Sequence, residues 1–169
     1  MMIINLGCGS SPLEGAVNVD RANIPGVDVV YDLDSGPWPF PDSSADRIEA
    51  IDVFEHVREP LLFMAECWRI LKVGGVLYMQ VPHYLSKNAF TDPTHLRFCT
   101  NETWDYWVVG KPLYESFGAA YGGHTHPFEM LSLEEVLSVN QDGWHIKVTL
   151  SKVECIEDSK NLPVNWRLS

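Results

Sequence analysis

Residues 3–20 read IINLGCGSSPLEGAVNVD, and the interpretation of this stretch decides the fold. One short apolar run, Met2 to Leu6, stops at a glycine cluster; a second, Ala16 to Val19, stops at Asp20. Apolar runs of this length closed by turn-forming residues are the pattern of buried strands. Gly7 and Gly9 permit the positive φ of a tight turn and let main chain approach a ligand where a Cβ would collide. Alone, a Gly-x-Gly after a strand is an ordinary turn. Asp20 changes the reading, because a carboxylate at the end of the very next strand can accept both hydroxyl hydrogens of a ribose. A pyrophosphate fingerprint needs a third glycine opening a helix, whereas Gly9 is followed by Ser10, Ser11 and Pro12, which argues against NAD.

Outward from this stretch the same arrangement repeats. Val27 to Tyr31 ends at Asp32, and Ala45 to Asp52 ends at a second acidic cluster. Asp32 and Leu33 would put a carboxylate near an adenine amino group and an apolar side chain against its ring. Pro60 opens a segment in which Leu61, Met64, Ala65, Trp68 and Leu71 recur at helical spacing, so a helix of about three turns is expected, stopped by Gly74 and Gly75. Val76 to Val81 is a strand ended by Pro82. Strands alternating with a helix, with acids at successive strand ends, indicate an α/β fold with a mainly parallel sheet that binds its ligand at the carboxyl edge.

Beyond His83 the periodicity weakens. Thr100-Asn101-Glu102 can open a short helix. The aromatic- and glycine-rich stretch from Val108 to Phe128 reads as a lid or substrate loop within a wider substrate region, residues 83–130. Ser132-x-x-Glu135 is a capping-box pattern that predicts a helix through about Asn140. Trp144 to Ile156 alternates like strands, and the last dozen residues are ambiguous.

The length of 169 residues, 46% of them hydrophobic, fits one domain with a real core. Twelve basic against 23 acidic residues give a formal charge of -11, which disfavours a phosphate backbone as partner. Cys8, Cys67, Cys99 and Cys155 are far apart, and no secretory signal is seen, so a reduced, cytoplasmic protein is expected. No apolar run approaches the roughly 18–20 residues needed to cross a bilayer, so no membrane insertion is expected. The oligomeric state is not readable.

The series NLGCGSS, NVD ending at Asp20, YDLD at Asp32, FPDSSADRIEAIDVFEHV and RILKVGGVLYMQVP resembles the class I S-adenosylmethionine-dependent methyltransferases over about residues 2–82. The subset with LNLGCG followed shortly by G-x-x-NVD is similar to small type 11-like methyltransferases often associated with saccharide or surface-polymer pathways. The resemblance implies a Rossmann-like fold with an antiparallel carboxyl-terminal edge. It also implies S-adenosylmethionine as cofactor, with Gly7 and Gly9 near its methionine portion, Asp20 at the ribose, Asp32 and Leu33 at the adenine and Asp52 near the sulfonium. Leu6, Cys8, Arg21 and Val53 complete the implied cofactor-binding set. One departure from the family is the short connection from Gly9 to Val17, where Pro12 and Gly15 discourage the usual first helix.

A second constellation is DVFEH with DPTH. Asp52, Glu55 and His56 stand at i, i+3 and i+4, which places them on one face if Asp52 opens a helical turn. The pattern resembles metal-using small-RNA 2′-O-methyltransferases and ubiquinone-biosynthesis O-methyltransferases, and by that resemblance the ligands of a divalent metal would be Asp52, Glu55, His56 and His95. A metal would lower the pKa of an acceptor hydroxyl and orient it. Without one, His56, His83 or His95 is the candidate for taking the proton. The plainer alternative is that Glu55 and His56 only shape the methionine pocket. The expected function is O-methylation of a small molecule or saccharide. The rivals are a non-catalytic S-adenosylmethionine-binding module or partner subunit, and a metal-dependent RNA 2′-O-methyltransferase.

Overall fold

The computed structural model describes residues 1–138 and 143–155. Its strands are β1 (Ile3–Leu6), β2 (Val17–Asp20), β3 (Val29–Val30), β4 (Ala45–Ile51), β5 (Leu71–Pro82), β6 (Phe128–Ser138) and β7 (Gly143–Lys152). They form one seven-stranded sheet in the order β3-β2-β1-β4-β5-β7-β6. Strands β1 to β5 pair in parallel, and β7 runs antiparallel to both β5 and β6. The expected mainly parallel sheet with an antiparallel carboxyl-terminal edge is therefore what forms. The chain order reverses direction across the sheet between β1 and β4, so the carboxyl ends of these two strands flank the crevice where such sheets bind ligands.

Two faces of this sheet have different fates. Ile4, Leu6, Ile48, Ala50, Leu77, Met79, Val81, Ile146, Val148 and Leu150 point to one side, are fully buried, and join one core. Helix α1 (Pro60–Ile70) gives Phe63, Met64, Cys67 and Ile70 to the same core. On the other side the register aligns Ile3, Arg47 and Val76, then Asn5, Glu49, Tyr78, Thr149 and Ser132. That row is mostly polar: Arg47 Nε meets Glu49 Oε1 at 2.8 Å, the Arg47 guanidinium lies 5.4 Å from the Tyr78 ring centre, and the Ser132 hydroxyl donates to Thr149 Oγ1 at 3.0 Å.

No described connection between β1 and β4 contains a helix. The link from β1 to β2 is held by Asn18 instead. Its Oδ1 accepts the Leu13 N–H at 2.7 Å and the Asn5 amide at 2.9 Å, while its Nδ2 donates to the Leu13 and Ala16 carbonyls. The longer link from β3 to β4 is clamped by α1: Glu66 accepts the Trp38 N–H, and Arg69 donates to the carbonyls of Trp38 and Phe40. Buried main-chain groups must be paired, and here side chains perform what a helix would do for itself.

Several expectations are corrected. The predicted helix from Ser132 is strand β6, because Ser132 to Leu137 pair residue by residue with β7, and a four-residue capping pattern yields to that ladder. Its predicted end, at 139–140, lies outside the described residues, as do Ile156 and the ambiguous last dozen. Helix α1 ends at Ile70, not at the glycines. Leu71 already pairs with Ala45, and the register jumps to Arg47 opposite Val76, so Gly74 (φ +77°) and Gly75 shape a bulge inside the pairing. The third strand shrinks to Val29–Val30. Thr100 precedes a short 3-10 helix over Asn101–Trp104, as expected. The stretch from 108 to 128 is not all loop, since it holds helix α3 (Pro112–Phe117). No helix among the described residues is long and apolar enough to cross a membrane.

Candidate active site

The carboxyl ends of β1, β2 and β4 open into a cleft lined by Gly7, Asp20, Arg21, Tyr31, Asp32, Leu33, Asp34, Asp52, Val53, His56, Val57 and Thr94. Asp20 ties its floor together. One carboxylate oxygen accepts the Gly9 N–H at 2.9 Å and the other accepts the Ala22 N–H at 2.8 Å. Each oxygen keeps a further lone pair, enough for two ribose hydroxyls. Gly9 (φ +50°) faces open space, since a Cβ built there meets nothing within 4 Å. Gly7 (φ +61°) has a different reason to be glycine, because a Cβ there would lie 2.5 Å from Val53 Cγ2. The loop after β1 thus rests directly on the loop after β4.

Of the remaining expected cofactor residues, Arg21, Asp32, Leu33, Asp52 and Val53 line the cleft. Leu6 is wholly in the core, Cys8 is buried beneath the turn with its N–H on the Val19 carbonyl, and neither these two nor Gly9 is among the lining residues. Four lining residues, Tyr31, Asp34, Val57 and Thr94, carried no assignment from sequence. Asp34, the last letter of YDLD, accepts the N–H groups of Arg58 at 2.6 Å and Glu59 at 3.2 Å, joining the third acidic loop to the start of α1. Tyr31 donates its hydroxyl to the Pro37 carbonyl.

After β4 the chain turns at Asp52 in the left-handed region (φ +53°), a conformation that Asp tolerates better than most residues. A single turn follows, closed by the His56 N–H on the Val53 carbonyl, so Asp52 precedes the turn and does not open a helix. The DPTH segment is strapped to it: the Leu96 N–H donates to the Glu55 carbonyl, and Arg97 donates to the Phe54 carbonyl while covering the Phe54 ring. These straps bring the His56 and His95 rings to 4.6 Å, edge to face.

Both imidazoles are oriented by partners on Nδ1. His95 Nδ1 donates to the Ala89 carbonyl at 2.9 Å. The Thr94 hydroxyl donates to Asp92 at 2.7 Å, so it accepts from His56 Nδ1 at 3.0 Å. These bonds leave the Nε2 lone pair of each ring available. Burial, with the His95 ring beside it, holds His56 below the ordinary imidazole range, so it is neutral at pH 7. Glu55 is 1% exposed, neither of its oxygens has a partner, and burial pushes its carboxyl up to about 8. One ligand atom each from Glu55, His56 and His95 lies within 4.8 Å of the others; Asp52 is not in this group. His83 is elsewhere: it is buried, its Nδ1 accepts the Leu85 N–H, and it lines neither this cleft nor the next cavity.

A second and wider cavity, about 570 Å³ against about 220 Å³ for the cleft, adjoins the first. Its walls are Asp52, Glu55, His56, Pro82, His145, residues of α2 (Lys87–Thr91) and the segment Asp92, Pro93, His95. Asp52 and His56 belong to both cavities. Other histidines, tryptophans and the Cys99 thiol of the later chain line neither cavity. His124 meets the Tyr114 carbonyl, His126 packs on Trp68, Trp104 and Trp107 are core, and burial pushes the Cys99 thiol up to about 12.

Residues 8–79 match the family model described as a methyltransferase domain. A probable S-adenosylmethionine-dependent methyltransferase of Mycolicibacterium smegmatis is 32% identical over 89 residues, which is 53% of this chain and 34% of that protein. The chain therefore spans about a third of the length of this relative. Among solved structures, the 1,6-didemethyltoxoflavin-N1-methyltransferase of Burkholderia thailandensis, with S-adenosylhomocysteine bound, superposes with a TM-score of 0.60 at 13% identity, covering 90% of this chain and 71% of that one. The cyclase SpnF superposes with a TM-score of 0.59 at 18% identity, covering 90% and 75%. A cyclase and a methyltransferase on one fold show that fold alone does not fix the reaction. Residues 8–79 are thus similar in sequence to a methyltransferase domain, and the chain shares the fold of these solved structures.

Proposed function

We propose that the chain transfers a methyl group from S-adenosylmethionine in the cleft to a hydroxyl of a small molecule or saccharide in the second cavity. The observation that carries this reading is that the two cavities share Asp52 and His56. A donor fits the cleft residue by residue: Asp20 offers lone pairs to ribose hydroxyls, Leu33 an apolar wall to the adenine, and open space lies over Gly9. The donor supplies an electrophilic methyl on sulfonium sulfur. The acceptor oxygen displaces the thioether directly, and His56 Nε2 takes its proton, with Thr94 and Asp92 holding the ring in the receptive tautomer. His95, fixed through Ala89, orients the oxygen or replaces His56 in that role. Calorimetry with S-adenosylhomocysteine tests the donor half. Wild type should bind, and Asp20→Ala should lose about a hundredfold or more in affinity; equal affinity for the two would sink the role of Asp20.

A second reading is favoured by the Glu55, His56 and His95 cluster, two imidazoles and one carboxylate in reach of one another. These residues fit a divalent ion, because both rings are anchored through Nδ1 and leave Nε2 for ligation. A bound ion would supply Lewis acidity to the acceptor hydroxyl. Manganese anomalous scattering from soaked crystals containing S-adenosylhomocysteine is the check: a peak beside His56 supports the ion, and its absence at millimolar manganese removes it.

A further inference from the structure

The second cavity contains a group that the reaction above does not use. His145 lines the cavity from β7, where it pairs with Pro82, and β5 separates it in the sheet from β4, whose following turn carries His56. It is 4% exposed, and its Nδ1 is buried without a hydrogen-bond partner. Leaving such an atom unpaired costs about 1–3 kcal/mol, whereas Nδ1 of His95, on the same cavity, is paired with the Ala89 carbonyl. An unpaired buried nitrogen on a cavity wall is a place where a ligand completes the bond.

The charges around the cavity restrict that ligand. Among the described residues Asp52, Glu55 and Asp92 line it, and neither Lys nor Arg does. A phosphate or carboxylate would enter with its charge uncompensated and against the Asp92 carboxylate. The rest of the wall offers imidazole nitrogens, the Thr91 hydroxyl and the flat apolar faces of Pro82 and Pro93. This is a lining for hydroxyl groups and for the C–H face of a saturated ring.

Resting on the methyl-transfer reading, we propose that the second cavity is an acceptor site for a neutral polyhydroxylated compound, and that His145 Nδ1 binds an acceptor hydroxyl other than the one methylated. His145 is then a binding and positioning residue on β7, while proton removal belongs to the β4 turn. The separation holds the acceptor at two points, which fixes the angle at which its oxygen approaches the methyl group.

The test uses the whole chain saturated with S-adenosylhomocysteine, whose own binding to wild type and His145→Leu is first measured by calorimetry. No binding to wild type would mean that the donor reading has failed, independently of the cavity. Saturation-transfer NMR then compares methyl α-glucopyranoside, glucose 6-phosphate and choline at millimolar concentration. The glycoside should bind wild type, lose about tenfold or more in affinity in His145→Leu, and regain most of it in His145→Asn, whose amide sits near the position of Nδ1. Glucose 6-phosphate and choline should be silent. The proposal is overturned if the glycoside is silent, if it binds His145→Leu as it binds wild type, or if the phosphate or choline binds as tightly. Should His145→Leu not fold, the glycoside affinity of His145→Asn against that of His145→Phe decides the matter in the same way.

Discussion

The proposed donor cleft and the proposed acceptor cavity are adjacent but built on opposite plans. In the cleft, the acids are already engaged: Asp20 holds Gly9 and Ala22, Asp34 holds Arg58 and Glu59, and Asp32 holds the Asp34 N–H at 3.1 Å. These bonds shape the loops before any ligand arrives, so the cleft is preorganised and its residues stabilise the fold. In the cavity, Glu55 and His145 are buried with polar atoms unpaired. Those groups cost stability, a cost that is kept where a ligand or a reaction needs it. One protein thus contains a region where site and fold reinforce each other and a region where they compete.

The largest effect should come from breaking the donor side. Gly7→Ala adds a Cβ 2.5 Å from Val53 Cγ2 at a residue with φ +61°, and about 2–4 kcal/mol of stability should be lost along with donor affinity. Adding Val53→Ala relieves the collision but not the backbone strain, so the double variant should recover part of the loss in denaturant unfolding and no more. Full recovery would mean that the backbone term is negligible here; no recovery would mean that Val53 is not the obstacle.

On the acceptor side the sign should reverse. The Glu55 carboxyl, with an ordinary value of 4.5, is pushed up to about 8 in the folded chain, so the unfolded chain releases its proton first as pH rises. Stability is therefore drained progressively between about pH 4.5 and pH 8. Glu55→Gln cannot ionise, and it should raise stability at pH 8 by about 2 kcal/mol or more while changing little at pH 4. Thermal unfolding of both proteins across that range checks this. A variant that is less stable at pH 8 would show that Glu55 belongs to the reinforcing class, like Asp20, and would remove the contrast.

The donor side was largely legible in the sequence because its signals are local. A strand, a glycine turn and an acid recur within twenty residues, and hydrophobic runs report burial directly. Even there the reason for Gly7 was hidden, since the atom it avoids belongs to Val53, 46 positions away. The acceptor side depends on contacts that have no local pattern. His145 is a single histidine in a strand, brought to the cavity only by the pairing of β7 with β5. Thr94 stood inside DPTH, but its place between Asp92 and His56 follows from the straps at Leu96 and Arg97. The helix predicted at Ser132 failed for the same reason: a hairpin partner outweighed a pattern of four residues.

The half-polar face of the sheet also affects how the chain responds to temperature. Arg47, Glu49, Tyr78 and Thr149 meet water in the folded state, so unfolding exposes less fresh apolar surface than it would from a sheet covered on both sides. The heat capacity of unfolding should then fall below the usual ~12–15 cal/mol/K per residue. A smaller increment flattens the stability curve, so cooling and warming from the optimum change the folded fraction less steeply than in a three-layer relative of equal peak stability.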